Sequence, residues 1–169
     1  EDGIRDVERS RGLGDVYKRQ VYTPQPNLPS TIKTVAVPVF INKTKEYNIE
    51  QYLTKKTIEN FLADGTVQIA DENKADAVVK CEIVKYVNTP ILFDENQIPQ
   101  QYRLRIYVDI YFFDNKNQRT LWSEKNIWEE TTYYVVNKLG MPVEDETIAN
   151  RRVMDKLAKR IISRVIYGW

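Results

Sequence analysis

Histidine is absent from this chain of 169 residues, and cysteine occurs once. The missing imidazole excludes the commonest general base and the commonest metal ligand. The single thiol, Cys81, excludes an intramolecular disulfide and a cysteine-cluster metal site. Because Cys81 lies within the strand-like segment VVKCEIV, we interpret it as a small core residue rather than a reactive thiol. The sequence therefore predicts no metal and no cofactor.

The chain also lacks an excess of either charge and any long apolar run. Its 25 Lys and Arg residues nearly balance its 24 Asp and Glu residues, for a net charge of +1. Nothing in the overall charge therefore directs the protein to nucleic acid. No uninterrupted apolar stretch reaches the roughly 18 residues that a membrane-spanning helix requires. The 42% apolar and 29% charged content predicts a single domain with its own core.

The first twenty residues differ from the rest of the chain. Half of residues 1–20 are charged, they show no sustained periodicity, and they resemble a translated sequencing-adaptor read. We interpret residues 1–20 as a non-native segment, with a genuine disordered tail as the alternative. Residues 21–31 hold three prolines and are predicted to form an extended tether. Residues 32–169 are predicted to form the folded domain.

The first half of that domain predicts a strand followed by a helix. Alternating valines indicate a strand over Ile32–Phe40. A polar connection then leads to a helix over Ile49–Asp64, with Asn48 as N-cap and Gly65 as the residue that ends it. The predicted apolar side of this helix consists of Leu53, Thr57, Ile58, Phe61 and Leu62.

The second half predicts strands and one more helix. The predicted elements are a short strand over Thr66–Ala70, a strand over Asp76–Val87, a proline-containing loop over Asn88–Gln100, strands over Tyr102–Phe113 and Arg119–Tyr134 joined by a turn over Asp114–Gln118, and a helix over Glu146–Ile166. The strand over Arg119–Tyr134 is expected to be bent or bulged, because no single alternation holds along it.

The order β-α-β-β-β-β-α predicts an α+β fold. Two helices are too few to cover both faces of a four- to five-stranded mixed sheet. We therefore expect a two-layer sandwich with both helices packed on one face. Alternation within the strands supports this, because a sheet covered on both faces has continuous apolar strands.

The strand over Tyr102–Phe113 has the clearest alternation in the chain. Its apolar face consists of Leu104, Ile106, Val108, Ile110 and Phe112, and its polar face consists of Arg103, Arg105, Tyr107, Asp109 and Tyr111. Mixed charge with tyrosine is typical of a solvated face and also of a wet binding interface. Lys80 and Lys85 could extend a basic patch, although the alternation places Lys85 in the opposite phase from Lys80.

The final helix predicts an apolar stripe and a charged side. The stripe consists of Val153, Met154, Leu157, Ala158, Ile161 and Val165; Arg152, Asp155, Lys156, Lys159 and Ser163 are expected to face outward. This pattern is typical of a helix that packs on a sheet along one side.

Motifs for enzymatic chemistry are not found. The sequence has no glycine-rich phosphate loop and no nucleophile elbow. Two carboxylate pairs are candidates for an acid and a base: Asp94 with Glu95, and Glu129 with Glu130 beside Trp128. We interpret the first as a solvated turn and the second as part of a strand edge with an outward aromatic ring. The sequence therefore predicts a protein that is not an enzyme.

Six segments occur in order from residue 32 to residue 169: IKTVAVPVFINKT, FLADG, ADAVVKCEIVKY, YRLRIYVDIYFFD, LWSEKNIWEETTYY and the closing YGW. In these segments and their order the chain resembles the LptE family of lipopolysaccharide-assembly lipoproteins. It implies two helices on one face of a mixed sheet, in agreement with the pattern of elements.

The resemblance also implies a function. Members of this family are anchored by an N-terminal lipidated cysteine in the periplasmic leaflet of the outer membrane, plug the LptD β-barrel, help it assemble, and bind lipopolysaccharide. The lipidated cysteine has no counterpart here, and we attribute its absence to the foreign residues 1–20. The family's basic lipopolysaccharide positions do not align cleanly. The candidate contacts with lipopolysaccharide or the barrel are therefore chosen by charge and placement: Arg103, Arg105, Tyr107, Tyr111 and Lys138.

One alternative remains open at this point. The opening AVPVFINKT is also similar to periplasmic lipoprotein domains of other secretion or envelope systems, such as CsgG and the N-terminal region of TolB. The long strand pair and the final helix with its GW ending favour the LptE family.

Overall fold

The computed structural model describes residues 26–137 and 140–168. Its elements are β1 (Thr34–Ala36), β2 (Ile41–Asn42), α1 (Ile49–Asp64), β3 (Gln68–Ile69), β4 (Ala77–Phe93), β5 (Pro99–Asp114), β6 (Arg119–Tyr134) and α2 (Glu146–Tyr167). Neither helix has the length and apolar character needed to traverse a bilayer within the described residues.

The strands form one mixed sheet in the order β3-β1-β4-β5-β6, and β2 pairs with β4 beyond the end of β1. Pairing is parallel among β1, β2, β3 and β4 and antiparallel among β4, β5 and β6. The predicted α+β architecture with a mixed sheet is therefore confirmed. The described sheet has six strands rather than four or five, because the opening segment forms two short strands.

The two helices lie parallel to each other. The Tyr52 hydroxyl donates to Asp155 Oδ1 at 3.1 Å, and the Tyr167 hydroxyl donates to Asp64 Oδ2 at 2.9 Å. The same sequence separation of 103 residues at both ends shows that α1 and α2 run in the same direction and in register.

Both helices cover the same face of the sheet, and this confirms the predicted two-layer arrangement. Five alternate side chains of β5 are fully buried on this inner face: Leu104, Ile106, Val108, Ile110 and Phe112. The predicted stripe of α2 is buried against the same core. Burial of this apolar area supplies the main force that holds the helices to the sheet.

Three local predictions about helix α1 have different outcomes. Gly65 ends the helix as predicted, with φ +73° and its N–H bonded to the Phe61 carbonyl at 3.1 Å. Asn48 precedes the helix, but its side chain makes no capping hydrogen bond. Leu62 was assigned to the apolar side and is instead 63% exposed, although its neighbour Phe61 is fully buried, because Leu62 lies on the side of the helix turned away from the sheet and α2.

The predicted loop over residues 88–100 is wrong. Strands β4 and β5 continue through most of it, and only residues 94–98 connect them. Pro90 pairs with Tyr102 beside a register shift. Beyond Ile83, β4 has no described neighbour on the side away from β5. The missing N–H of Pro90 is therefore tolerated there.

The segment before β1 is described from residue 26. The Asn27 N–H donates to the Ile166 carbonyl at 2.7 Å, near the end of α2, and Leu28 packs against the core. The predicted non-native segment, residues 1–20, and the first five residues of the predicted tether, 21–25, lie outside the described residues.

Candidate functional site

The face of the sheet opposite the helices, here called the outer face, is covered by no other described element. The register of β4, β5 and β6 places these side chains on it: Lys80, Glu82, Lys85, Val87, Thr89, Arg103, Arg105, Tyr107, Asp109, Tyr111, Ser123, Trp128, Glu130 and Thr132. Four of the five predicted contact residues therefore lie together. The fifth, Lys138, lies outside the described residues.

Arg105 is the centre of the outer face. Its Nε and Nη2 atoms donate to Glu130 Oε2 at 2.8 and 2.6 Å, and its Nη1 donates to the Tyr107 hydroxyl at 3.3 Å. The guanidinium carbon lies 4.4 Å from the centre of the Trp128 ring. The Tyr107 hydroxyl and the Glu130 carboxylate raise the pKa of Arg105. The guanidinium is thus held in place by three neighbours.

Two other cations of the outer face are less engaged. Lys85 Nζ lies 5.5 Å from the centre of the Tyr107 ring. Arg103 is exposed and lies between Thr89 and Thr132. Within residues 26–137 and 140–168, neither cation forms an ion pair with a carboxylate. Their charges therefore remain available to an external anion.

The end of the outer face near β2 carries two separate ion pairs. Lys43 Nζ donates to Glu82 Oε2 at 2.5 Å, and this bond raises the pKa of Lys43. Lys80 lies 3.8 Å from Glu72 and 5.9 Å from the centre of the Phe113 ring. Tyr111 lies beside Lys80 across the β4–β5 pair. This end therefore combines balanced charge with aromatic rings.

Lys85 was predicted in the opposite phase from Lys80, and this prediction is wrong. A register shift between Ile83 and Lys85 places Lys85 opposite Tyr107, just as Lys80 lies opposite Tyr111. A β-bulge inserts one extra residue into a strand and reverses the alternation beyond it. Both lysines therefore lie on the outer face.

The sequence missed the role of Glu130 as the partner of Arg105. If the β5–β6 hairpin kept one register from its turn, Trp128 would lie opposite Arg105. Two register shifts, one beside Ile110 and one beside Phe113, bring Glu130 there instead. The predicted irregularity of this strand is thus confirmed, but its size could not be read from the residues.

The carboxylate pairs do not form acid–base sites. Asp94 Oδ1 accepts the backbone N–H groups of Asn96 and Ile98 at 2.9 and 2.8 Å, as in a tight turn. Glu129 and Glu130 lie on opposite faces of β6, where Glu129 meets Arg160 of α2 at 2.7 Å. Asp94, Glu129 and Glu130 therefore each have a local structural partner.

Cys81 is a core residue, as predicted. Its side chain is 2% exposed, and burial raises the pKa of its thiol. A thiol that resists ionisation is a poor nucleophile and a poor metal ligand. No cluster of three or more metal-ligating side chains is found in the part of the chain that the structure describes.

Comparison with known proteins gives a family. The family model for LptE, described as lipopolysaccharide-assembly, matches residues 32–165. No curated protein sequence matches the chain.

Solved structures with the same fold have little sequence in common with this chain. Rare lipoprotein B from Shewanella oneidensis is 12% identical, with a TM-score of 0.50 over 78% of this chain and 92% of that one. A PelC variant from Paraburkholderia phytofirmans, solved as a dodecamer, is 14% identical, with a TM-score of 0.52 over 87% and 96%. A hypothetical protein from Chlamydia trachomatis is 10% identical, with a TM-score of 0.51 over 79% and 98%. At these identities the likeness concerns the fold alone.

Proposed function

Because this chain belongs to the LptE family of lipopolysaccharide-assembly proteins, we propose that it plugs an LptD-type outer-membrane β-barrel, helps the barrel assemble and binds lipopolysaccharide. In this proposal the native protein is a non-enzymatic lipoprotein, anchored by an N-terminal lipid in the periplasmic leaflet of the outer membrane. Its partners are the barrel and lipopolysaccharide.

The observation that carries the proposal is the composition of the outer face. Both helices pack on the inner face, so three long strands present tyrosine, arginine, tryptophan and paired charges to the surroundings. Tyrosine, tryptophan and arginine are enriched at the centres of protein interfaces. The lumen of a large β-barrel is polar. A polar aromatic sheet face is therefore well suited to contact a lumen wall.

The same face offers a place for the phosphate groups of lipopolysaccharide. Arg103 and Lys85 have no carboxylate partner among the described residues, whereas Arg105 is bound to Glu130. Arginine and lysine are the usual ligands of phosphate. We therefore assign the phosphate contact to Arg103 and Lys85, and an anchoring role at the barrel to Arg105 and Tyr107. Lys138 stays a candidate on its charge alone.

Co-purification tests the plug role. Residues 21–169 would be expressed behind a lipoprotein signal and lipidated cysteine, together with the LptD-type barrel of the same genome. A photo-crosslinking amino acid at position 107 or 111 should link to the barrel. The same amino acid at Lys159, which is exposed on α2, is the control and should link less. Crosslinks from α2 alone would reverse the proposed orientation.

Failure to form any complex with the barrel would refute the plug role. The chain would then fit the alternative, a periplasmic lipoprotein domain of another secretion or envelope system of the CsgG or TolB type. The fold described above would be unaffected, because it does not depend on the partner.

Lipopolysaccharide binding needs its own test. Arg103→Ala with Lys85→Ala should lower capture of the purified protein on immobilised lipopolysaccharide several-fold. Arg151→Ala with Lys159→Ala removes the same net charge from α2 and should leave capture unchanged. Equal loss in both pairs would mean that binding follows net charge rather than the outer face.

A further inference from the structure

Strand β6 is an edge of the sheet, because among the described residues it pairs with β5 and, apart from a single bridge between Tyr134 and Val143, with no other segment. The backbone groups of alternate residues on an edge strand point away from the sheet. Such a row is a template for strand addition by another chain. What occupies these groups therefore decides whether the edge can pair.

Three carbonyl groups of this edge accept hydrogen bonds from basic side chains of α2. The donors and acceptors are Arg152 Nη2 to the Thr132 carbonyl at 3.0 Å, Lys156 Nζ to the Glu130 carbonyl at 2.9 Å, and Arg160 Nη1 to the Trp128 carbonyl at 3.1 Å. The donors are four residues apart on the helix, and the acceptors are two residues apart on the strand. These three side chains are here called the α2 basic row.

The spacing follows from the geometry of the two elements. Four residues of an α-helix rise about 6.0 Å, and two residues of a strand rise about 6.7 Å. Because α2 runs antiparallel to β6, each step along the helix meets the next outward carbonyl. The match holds over three positions without strain on either backbone.

Acidic side chains hold two members of the row in place. Arg160 Nη1 also donates to Glu129 Oε1 at 2.7 Å, and Arg152 is paired with Glu144. Lys156 has no such partner among the described residues. The two guanidinium groups are thus fixed beside the edge rather than free in solvent.

On either side of the α2 basic row, other groups block the β6 edge. Beyond Thr132, the Tyr134 carbonyl accepts the Glu144 N–H at 2.9 Å. Beyond Trp128, Asn126 has a φ of +55°, and its N–H donates to Asp109 Oδ1 at 2.8 Å. A bulge of this kind bends an edge strand and interrupts pairing.

The next basic residue of α2 shows where the match ends. Arg164 Nε lies 3.1 Å from the carboxylate of Glu124 and so contacts a side chain rather than a β6 carbonyl. The register shift beside Ile110 accounts for the change. The closure therefore extends from Trp128 to Tyr134, the distal half of the strand.

We propose that the α2 basic row closes the distal half of the β6 edge, residues 128–134, to strand addition and thereby keeps this part of the edge from pairing with a second copy of the chain. The row occupies the carbonyl acceptors that an added strand needs, and its side chains fill the space that the added strand would enter. This inference does not depend on the proposed function. It leaves the outer face as the surface through which the sheet meets a partner.

Replacement of the row tests the proposal. Lys156→Ala with Arg160→Ala should at least double the weight-average mass at high concentration in sedimentation velocity, while the parent protein stays monomeric. Hydrogen exchange of the outward backbone N–H groups of Trp128, Glu130 and Thr132 should slow in the associated variant. Arg151→Ala with Lys159→Ala removes the same charge from the same helix and should stay monomeric. The exchange Lys156→Arg with Arg160→Lys keeps a donor at each position and should also stay monomeric.

Two results would overturn the proposal. One is a Lys156→Ala/Arg160→Ala protein that keeps native near-UV circular dichroism and is still monomeric at every concentration. The other is equal association of the Arg151→Ala/Lys159→Ala control, which would assign the effect to lost charge repulsion. If the double variant does not fold, the same sedimentation experiment on Lys156→Ala alone tests the proposal, since this variant leaves the Arg160–Glu129 pair intact. This single variant should show weaker association of the same kind, and a strictly monomeric result would also refute the closure.

Discussion

Two adjacent residues of β5 allow a matched test of the two faces of the sheet. Ile106 is fully buried on the inner face, whereas Tyr107 lies on the outer face with its ring 5.5 Å from Lys85 Nζ. Ile106→Ala removes buried methyl and methylene groups and leaves a cavity, which costs about 2–5 kcal/mol of unfolding free energy. For a chain of this size that corresponds to a fall of about 5–15 °C in Tm.

Tyr107→Ala should have a much smaller effect on the isolated domain. It removes an exposed contact between a cation and an aromatic ring, worth about 0.5–1 kcal/mol, and a long hydrogen bond from Arg105 at 3.3 Å. The Tm should therefore fall by at most about 4 °C. If Tyr107 contacts the barrel, the same change should reduce recovery of the complex several-fold.

The assay combines thermal unfolding by circular dichroism with co-purification of the barrel. Arg105→Glu combined with Tyr107→Ala should weaken the complex further. Because it also places a carboxylate opposite Glu130 and removes the contact with Trp128, the Tm of the isolated domain should fall more than for Tyr107→Ala alone but less than for Ile106→Ala. A Tyr107→Ala protein that loses as much stability as Ile106→Ala would refute the assignment of faces. A stable Tyr107→Ala protein with full recovery of the complex would refute the role of the outer face.

Three further predictions concern stability and reactivity. Asp76 accepts two backbone N–H groups at the start of β1, each at 3.0 Å, and meets Lys116 at 2.5 Å; the Lys116 contact and then these backbone bonds hold the pKa of Asp76 below its usual range. The stabilisation by Asp76 is therefore full above the unfolded pKa of about 3.9 and is lost as the pH falls toward the folded pKa. The stability advantage of the parent protein over Asp76→Asn, measured by urea unfolding, should shrink between about pH 5 and pH 2. A difference that stays constant with pH would contradict this. Asp145→Ala removes the N-cap bond from Ile148 N–H at 2.8 Å and should cost about 1 kcal/mol of unfolding free energy, while Asp145→Asn, which keeps an acceptor, should cost less; equal losses would count against capping. Cys81 should react with a thiol reagent only after denaturation, because burial raises the pKa of its thiol; rapid labelling of the native protein would show that the strand opens.

The alternation of β5 could be read from the residues because each side chain of a strand has only two directions. Every residue assigned to its apolar face is buried, from Leu104 to Phe112. The apolar stripe of α2 could be read for a similar reason, since a helix buries one side on a sheet. The α+β class then followed from the number of helices. The first four contact candidates share a face because they alternate along a single strand.

Other features depend on register between strands, which the local pattern does not contain. Lys85 joins Lys80 on the outer face only because of a bulge in β4. Glu130 reaches Arg105 only because two shifts accumulate along the β5–β6 pair. Pro90 predicts a loop from the sequence, because the sequence does not reveal that β4 lacks a neighbour on one side at this residue.

The α2 basic row likewise has one feature that the sequence shows and one that depends on strand register. Arg152 and Lys156 were expected simply to face outward, and Arg160 lies half-buried among them. Their spacing of four residues is visible in the sequence, but the carbonyl groups that they bind belong to a strand 20 to 32 residues away along the chain. Local patterns were sufficient to predict both helices, most of the strand residues and the buried sides of β5 and α2, because the period of a helix or a strand decides which side chains share a side. Which charged groups meet depends instead on strand register and helix direction, and the packing of the whole domain sets both.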